Sequence, residues 1–490
     1  MRIPGEVQEI LRTLDAAGFT AHVVGGCVRD LLRGVEPEDW DVATSAQPEE
    51  IQRLFPQSFY KNRFGTVTVH TGGRDSRLKD IEVTTYRTEE TYSDARHPDR
   101  VSFTTTLEDD LARRDFTVNA MGLKPKGMGL GPWGMEDTEL IDPFGGQGDL
   151  KSKLIRAVGD PAARFGEDAL RLLRAVRFAV TLGFTIEPAT LAAIKTHAPA
   201  ISRISQERIR DELVKMLLHL DVENGFVLLQ EVGLLPQMIP ELSEGVGVKQ
   251  NKHHIYTVFE HNVKSLGFSA RAGDPLHVRL ATLLHDVGKP RTKNGEYPDA
   301  TFYGHDIVGA SMTRKMLTRL AFPREMVQKV THLVRHHLFM YDIGVVTEAG
   351  VRRLLRRVGP ENFQDLLKVR MAERRGSGVP KARPYRLRHL EFMVEKVQKD
   401  PLSTKMLKIN GNDLQQELAL KPGPIIGAIL DVLLADVLDD PSQNTRAALL
   451  ARAKELSTQN LDAVRAQAKD TVAAKKQEEE ENIKRKYHVS

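Results

Sequence analysis

Cysteine is the scarcest residue in this sequence. Cys27 is the only one among 490 residues, which excludes a disulfide framework and fits a reducing compartment. Residues 1–19 have the pattern of an amphipathic helix and contain no apolar signal-peptide core. The most apolar stretch, residues 424–438, carries Asp431 and Asp436 and is too short to cross a bilayer. We therefore expect a soluble, cytoplasmic protein with no membrane partner.

The sequence also has little net charge. Its 70 basic and 66 acidic residues leave a balance of +4, which does not by itself indicate a nucleic-acid partner. A hydrophobic fraction of 41% and a charged fraction of 28% are typical of a globular protein. Because 490 residues are too many for a single core, we expect several domains.

The most informative stretch is residues 21–44. A strand pattern ends at Gly25 and Gly26, a helix pattern follows, and a second strand pattern carries Asp39 and Asp41. Residues two apart on a strand point to the same face, where two carboxylates repel unless a cation such as Mg²⁺ lies between them. Paired glycines at a helix start let backbone N–H groups approach a phosphate. Either half alone is commonly a turn or a solvated strand end, but together they predict nucleotidyl transfer.

The amino-acid sequence of this region resembles that of a known family. GGCVRDLLRG at residues 25–34, followed by EDWDVATSAQPEEIQRLFP at residues 38–56, is similar to the head of the class II tRNA nucleotidyltransferase and bacterial poly(A) polymerase superfamily. The resemblance implies an α+β fold: a polymerase-beta-like head with a mixed sheet, an all-α neck, an HD-type helical domain and a helical tail. It also implies that Gly25, Gly26 and Arg29 hold a nucleotide triphosphate.

Further along the head, Glu82 lies on a predicted strand at residues 81–86, after a predicted helix at 48–55 and a strand at 66–70. A third carboxylate on an adjacent strand would complete a catalytic two-metal site with Asp39 and Asp41. The alternative is an ordinary residue on the surface of the strand.

Residues 88–103 are polar and charged, with almost no apolar periodicity. One interpretation is a disordered surface loop. In the family that this sequence resembles, a flexible loop with the same Arg96-His97-Pro98 wording is associated with the final addition of A, and enzymes that add only CC tend to lack it. The loop therefore favours the full CCA activity.

The run LARRDFTVNAM at residues 111–121 matches the family's RRDFT-x-NA motif. Arg113 and Arg114 would offer guanidinium groups to phosphate, and Asp115 and Asn119 could reach a ribose hydroxyl. The alternative is an ordinary surface ion pair between Arg114 and Asp115.

The pattern is helical from Lys153 onward, with apolar residues from Leu170 to Ala179 at helical spacing. Beside this stripe lie charged residues: Glu167, Asp168, Arg171, Arg174 and Arg177. An ion pair between Asp168 and Arg171 would be worth only tenths of a kcal/mol. Alternatively, the carboxylate accepts from an exocyclic amino group and the guanidinium donates to the neighbouring ring nitrogen, which selects cytosine and adenine over uracil and guanine. This is the family's Glu-Asp-x-x-Arg motif.

A second centre is predicted between residues 240 and 375. Its histidine and aspartate runs resemble the HD phosphohydrolase superfamily, through His261, His285, Asp286, His305, His336 and His337. Such ligands suit a transition metal, here Ni²⁺, Co²⁺ or Mn²⁺, which would activate a water molecule. The family's last ligand is an aspartate, whereas this chain has Glu373 there. We therefore expect metal binding and leave hydrolysis open.

These patterns predict five segments: a head (1–150), a neck with a nucleotide-recognition helix (151–240), a metal-binding HD-type domain (241–375), an RNA-binding tail (376–456) and a charged extension (457–490). The predicted function is template-independent addition of CCA to tRNA from CTP and ATP, with Mg²⁺. The alternatives are an A-adding enzyme or a poly(A) polymerase, and a metal phosphohydrolase whose head only binds RNA. The sequence does not decide between a monomer and a homodimer.

Overall fold

The computed structural model describes residues 2–489, except 61–64, 91–99, 128, 130–132, 252–254, 340, 379–384, 399–403 and 460. The chain forms two compact units. The first contains residues 1–337 and 368–379, and the second contains residues 338–367 and 380–490. The five predicted segments do not coincide with these units, and their boundaries stay predictions.

The head of the first unit alternates short helices and strands. In chain order these are α1 (Gly5–Ala16), β1 (Ala21–Val24), α2 (Gly26–Leu32), β2 (Asp41–Thr44), α3 (Pro48–Leu54), β3 (Ser58–Tyr60), β4 (Thr66–His70), β5 (Asp80–Thr85), β6 (Arg87–Glu90), β7 (Arg100–Phe103), α4 (Leu107–Ala112), β8 (Gly122–Pro125), β9 (Thr138–Ile141) and α5 (Gly146–Lys151). The predicted helix at 48–55 and the predicted strands at 66–70 and 81–86 are thus confirmed as α3, β4 and β5.

Seven of these strands form one mixed sheet in the order β3-β4-β5-β2-β1-β8-β9. Only β2 and β5 run parallel, and the other neighbours are antiparallel. Ile81 and Val83 of β5 point into a core shared with Leu11 of α1 and Ile51 of α3. Because side chains alternate along a strand, Glu82 lies on the opposite face from this core.

The ends of the predicted polar loop at 88–103 are paired as strands. Arg87 lies opposite Phe103, and Glu90 opposite Arg100, in the antiparallel ladder of β6 and β7. The centre of the loop, with Arg96-His97-Pro98, lies outside the described residues.

The neck follows with β10 (Leu154–Ile155), α6 (Pro161–Glu167), α7 (Leu170–Leu182), β11 (Thr185–Ile186), α8 (Pro188–His197), α9 (Gln206–Leu217), α10 (Val222–Glu231), α11 (Leu235–Met238) and α12 (Pro240–Ser243). The helical pattern predicted from Lys153 is interrupted in two places. Strands β10 and β11 form a short parallel ladder, and the backbone is extended at Asp168, which separates α6 from α7. The stripe from Leu170 to Ala179 is buried as predicted.

The HD-type region consists of α13 (Val258–Arg271), α14 (Leu276–Leu284), α15 (Lys289–Thr292), α16 (His305–Arg319) and α17 (Arg324–His336). It also includes the last turns of a later helix, residues 368–376. Helices α16 and α17 pack side by side, and α14 contacts both α13 and α17.

The remaining helices are α18 (Glu348–Val358), α19 (Pro360–Gly376), α20 (Tyr385–Gln398), α21 (Gly411–Leu418), α22 (Pro424–Asp439), α23 (Arg446–Leu456) and α24 (Leu461–Tyr487). The charged extension predicted at 457–490 is therefore largely helical. Within the second unit α24 packs on α22 and α20, and Lys486 pairs with Glu395 at 2.7 Å. Across the described part of the chain, no helix is both long and apolar enough to span a membrane.

Candidate active site and metal centre

A cavity of about 450 Å³ in the first unit brings head and neck residues together. Seven arginines and three aspartates line it, so its charge suits a polyanion. The lining residues are Gly26, Arg29, Asp41, Arg113, Arg114, Asp115, Asn119, Asp168, Leu170, Arg171, Arg174, Arg177, Phe178 and Arg208. Most of the residues predicted for nucleotidyl transfer, Arg113 included, are among these. Gly25 adjoins the cavity, and Asp39 and Glu82 lie outside the lining.

Gly25 has a backbone conformation that other residues rarely adopt. Its φ is +84°, and an added Cβ would lie 2.7 Å from Nη1 of Arg114 and 3.3 Å from Oδ2 of Asp41. The absence of a side chain thus lets an arginine and a carboxylate approach the start of α2.

Two of the predicted catalytic carboxylates are neighbours on parallel strands. Asp41, the first residue of β2, lies opposite Glu82 of β5 in the register. Asp39 differs from the prediction, because it precedes β2 in a bend and is exposed. The buried side chain of Trp40 separates Asp39 from Asp41 along the chain.

A chain of hydrogen bonds links the head to α7. Arg29 donates to Asn119 (Nη1 to Oδ1, 2.7 Å), Asn119 donates to Asp115 (Nδ2 to Oδ1, 3.2 Å), and Arg174 donates to Asp115 (Nε to Oδ2, 2.7 Å). Burial alone would raise the pKa of Asp115, but Arg174, together with Asn119 and Arg171, outweighs the effect of burial and lowers the pKa to about 2. Arg114 pairs with Asp110 at 3.4 Å, so the alternative of an Arg114–Asp115 surface pair is wrong.

The predicted pair of Asp168 and Arg171 faces the cavity, but the two side chains bind other partners. Asp168 accepts from Nη2 of Arg208 at 2.7 Å and from the backbone N–H of Leu170. Arg171 donates to Glu167 and to the carbonyls of Arg164 and Arg113. The alternative of a helical Asp168–Arg171 ion pair is therefore wrong, because Asp168 lies in the break before α7.

Two lining residues were not predicted. Arg208 lies on α9, 40 residues from the carboxylate that it binds, and no local pattern marks it. Phe178 lies on α7 beside Arg177, whose guanidinium is 3.8 Å from the ring centroid. The guanidinium groups of Arg174 and Arg29 lie 5.2 and 5.4 Å from the centroid of the same ring. Three arginines are therefore within cation–π distance of Phe178.

In the second centre, four histidines surround the carboxylate of Asp286. Its Oδ2 lies 3.4 Å from Nε2 of His261 and 3.2 Å from Nε2 of His285. Its Oδ1 lies 3.2 Å from Nε2 of His305 and 3.7 Å from Nε2 of His337. Two groups of three donors thus share this aspartate, and every member is buried.

The histidines of this centre are prepared to act as ligands. Nδ1 of His285, His305 and His337 is hydrogen-bonded to the backbone carbonyls of Thr282, Phe302 and Val334. A donating Nδ1–H leaves the Nε2 lone pair free to bind a metal. Burial lowers the pKa of His261 to about 3 and also lowers that of His337, which keeps both rings neutral. Four imidazoles and one carboxylate fit a divalent transition metal.

Two residues predicted as ligands do not join these groups. The His336 ring packs against His332, with 4.6 Å between centroids, because successive residues at a helix end point in different directions. Glu373 lies near the centre, but Arg370 binds both of its oxygens at 2.7 Å. Although burial would raise the pKa of Glu373, Arg370, assisted by His285 and His337, holds it at about 2.

Lys289 forms an ion pair with Asp286. Its Nζ lies 2.6 Å from Oδ2 of Asp286 and donates to Gln250 at 2.7 Å. With His285, this ammonium holds the pKa of Asp286 well below its usual range, against the effect of burial. The carboxylate is therefore ionised and able to bind a cation.

Three stretches match known families. Residues 21–156 match the poly A polymerase head domain, residues 183–245 match the probable RNA and SrmB-binding site of polymerase A, and residues 258–375 match the HD domain.

Similar proteins span nearly the whole chain. An A-adding tRNA nucleotidyltransferase of Deinococcus radiodurans is 36% identical over 84% of this chain and 90% of its own length. A CCA-adding enzyme of Enterococcus faecalis is 32% identical over 92% and 97%. The crystal structure of Bacillus stearothermophilus CCA-adding enzyme in complex with CTP is 27% identical, with a TM-score of 0.55 over 92% of this chain and 97% of that one. This chain therefore belongs to the tRNA nucleotidyltransferase family of CCA-adding and A-adding enzymes.

Proposed function

We propose that this chain adds C, C and A to the 3′ ends of tRNA from CTP and ATP without a nucleic-acid template. The observation that carries the proposal is the single cavity that joins a carboxylate, a phosphate-binding set of arginines and the Asp168–Arg171 motif. The CCA-adding relatives, which this chain matches almost end to end, support the same activity.

The carboxylates would bind Mg²⁺, and the arginines would bind the phosphates of the nucleotide. Asp39, Asp41 and Glu82 offer the hard oxygen ligands that Mg²⁺ prefers. When bound, Mg²⁺ would activate the attacking 3′-hydroxyl and stabilise charge at the phosphorus. Arg114 lies against Gly25, and with Arg29 and Gly26 it would hold the phosphates at the start of α2.

Asp168 and Arg171 would read the base from fixed positions. Arg208 holds the Asp168 carboxylate, and three acceptors hold the Arg171 guanidinium. Of the five N–H donors of a guanidinium, Arg171 uses three, so two remain for a ring nitrogen. Cytosine and adenine both present an amino group beside an acceptor nitrogen, whereas uracil and guanine present a carbonyl that Asp168 would repel.

A template-independent enzyme must recognise tRNA by its shape and backbone. In the second unit, α18 presents four exposed arginines at 352, 353, 356 and 357. We infer that this face contacts RNA phosphates, which gives sequence-independent and salt-sensitive binding. Of the other basic residues nearby, Arg370 is bound by Glu373, and Lys381 and Arg383 lie outside the described residues.

The test is an extension assay with tRNA that ends before C, C or A. Each substrate is incubated with CTP, ATP, UTP or GTP separately and with CTP plus ATP, and the product ends are sequenced. The proposal predicts termination at CCA and use of both CTP and ATP. Refusal of CTP, or long A tracts, would contradict it.

The Deinococcus radiodurans relative favours a second candidate, in which the chain adds only the terminal A. This candidate predicts that tRNA ending in CC is extended by ATP, while tRNA that lacks both cytidines is left unchanged. The same assay therefore separates the two candidates.

The buried histidine centre favours an additional activity, metal-dependent hydrolysis of phosphate esters. Asp286 and the four converging histidines would hold Ni²⁺, Co²⁺ or Mn²⁺, and the bound metal would supply an activated water. Release of phosphate from a small phosphate ester on addition of each metal tests this activity. His285→Ala should abolish it and leave nucleotide addition intact.

A further inference from the structure

A second cavity, of about 830 Å³, lies in the first unit between α16 and α17. Its lining comes only from residues 307–335 and shares no residue with the arginine-rich cavity of the head and neck. Volumes of several hundred Å³ are typical of sites for small organic ligands.

Positive charge dominates this cavity. Arg314, Arg324 and Arg335 line it together with His332, and no aspartate or glutamate does so within the described part of the chain. The side chain of Arg335 is bound by Asp306, whereas the guanidinium groups of Arg314 and Arg324 have no ion pair or side-chain hydrogen bond with any described residue. Uncompensated arginines that share a concave surface repel one another, and an anion would relieve that repulsion.

The rest of the lining is apolar or able to form hydrogen bonds. Phe322 and Val327 are buried, and Ile307 is 57% exposed. Thr331 is 6% exposed, and its Oγ1 has no hydrogen-bond partner among the described residues. A buried hydroxyl without a partner costs stability that a polar ligand atom would restore.

We propose that this cavity binds a nucleotide. Arg314 and Arg324 hold its phosphates, and Phe322, at the same end of the two helices, covers its base. A purely acidic ligand would leave the apolar side chains uncovered, and a purely apolar ligand would leave the arginines unneutralised. The nucleotide comes either from solution or from an unstacked position of bound RNA, since both sources offer the same phosphate and base. The inference is independent of the proposed function, because no residue of the nucleotidyl-transfer cavity takes part.

The test is photo-crosslinking on the full-length protein with EDTA present, because the cavity has no carboxylate that needs a metal. One probe is 8-azido-ATP, and the other is a single-stranded RNA oligomer that contains 4-thiouridine. Peptide mapping by mass spectrometry separates labelling of residues 305–336 from labelling of the head. Label from azido-ATP identifies a free nucleotide as the ligand, and label only from the oligomer identifies a nucleotide of RNA.

The variant is Arg314→Glu with Arg324→Glu, and the matched control is Lys315→Glu, an exposed neighbour on α16 outside the lining. Loss of two charge-assisted contacts predicts labelling weaker by about tenfold to hundredfold in the double variant. The control should label like the wild type, and thermal unfolding and tRNA extension should be unchanged in both. Absence of label in residues 305–336 with both probes, or equal label in the double variant, would overturn the proposal.

Discussion

Arg208 on α9 holds the carboxylate of Asp168 with 2.7 Å between Nη2 and Oδ2, although 40 residues separate them. If Asp168 reads the base, its orientation matters as much as its charge, because small displacements at a reacting site cost large factors in rate. Selection of the nucleotide would then depend on a residue that lies outside the recognition motif.

We predict that Arg208→Ala lowers kcat/KM for both CTP and ATP by about tenfold to hundredfold and increases incorporation of UTP and GTP. Arg208→Lys should retain part of the selectivity, because one charged contact remains. Arg203→Ala, at an exposed position before α9, is the control. Single-nucleotide extension kinetics with all four nucleotides measure the effect, and unchanged selectivity in Arg208→Ala would exclude the positioning role.

Asp41 and Glu82 lie opposite each other on the paired strands β2 and β5, where both carboxylates could bind Mg²⁺. Glu82→Gln removes one hard ligand, so we expect kcat to fall by about 10²-fold or more and the Mg²⁺ concentration for half-maximal rate to rise. Asp80→Asn is the matched control, because it lies on the same strand but is exposed and pairs with His70. A Mg²⁺ titration of the extension rate makes the comparison. A Glu82→Gln enzyme with normal Mg²⁺ dependence would show that Glu82 is a surface residue.

Asp115 should make the free energy of unfolding depend on pH. Its pKa is lowered to about 2 in the folded protein from an ordinary value of 3.8, so its stabilising effect is complete above that ordinary value. The effect is lost as the pH falls from about 4 to about 2, and it amounts to about 2 kcal/mol. We predict that the difference in free energy of unfolding between wild type and Asp115→Asn shrinks over this pH range. Urea unfolding at pH 6, 4 and 3 tests this, and a constant difference would contradict it.

Arg370 binds both oxygens of Glu373, which would otherwise be open to a metal ion. Without Arg370, the carboxylate of Glu373 would lose its neutralising cation but would still lie near the histidines of the centre. We therefore predict that Arg370→Ala binds Co²⁺ about tenfold more tightly than wild type. Arg374→Ala, on the exposed side of α19, should bind like the wild type. Calorimetric titration of the metal-free proteins measures both. Equal or weaker affinity in Arg370→Ala would show that Glu373 does not interact with the metal.

The local motifs were accessible to sequence reasoning because each lies on one short stretch whose backbone is set by nearby residues. Gly25 and Gly26 mark the turn before α2, and hydrophobic alternation places β5 correctly. The adjacency of Asp41 and Glu82 follows once the two strands pair. Parallel pairing of β2 with β5 was beyond the sequence, because it depends on the packing of the whole sheet.

Side-chain partners were less accessible, because they depend on long-range packing. The His336-His337 pair shows the difficulty, since only the rotation of α17 decides that His337 joins the centre and His336 packs on His332. The break at Asp168 similarly turns a predicted helical pair into two separate ion pairs, with Arg208 and Glu167 as the partners.

We propose that nucleotide addition takes place at Asp41 and not at the histidine centre. The most direct measurement compares incorporation of labelled CTP and ATP into tRNA that lacks CCA, by full-length Asp41→Asn and His285→Ala proteins. We predict that Asp41→Asn loses at least about 10³-fold in rate while His285→Ala keeps the wild-type rate. An active Asp41→Asn protein, or an inactive but folded His285→Ala protein, would contradict the claim.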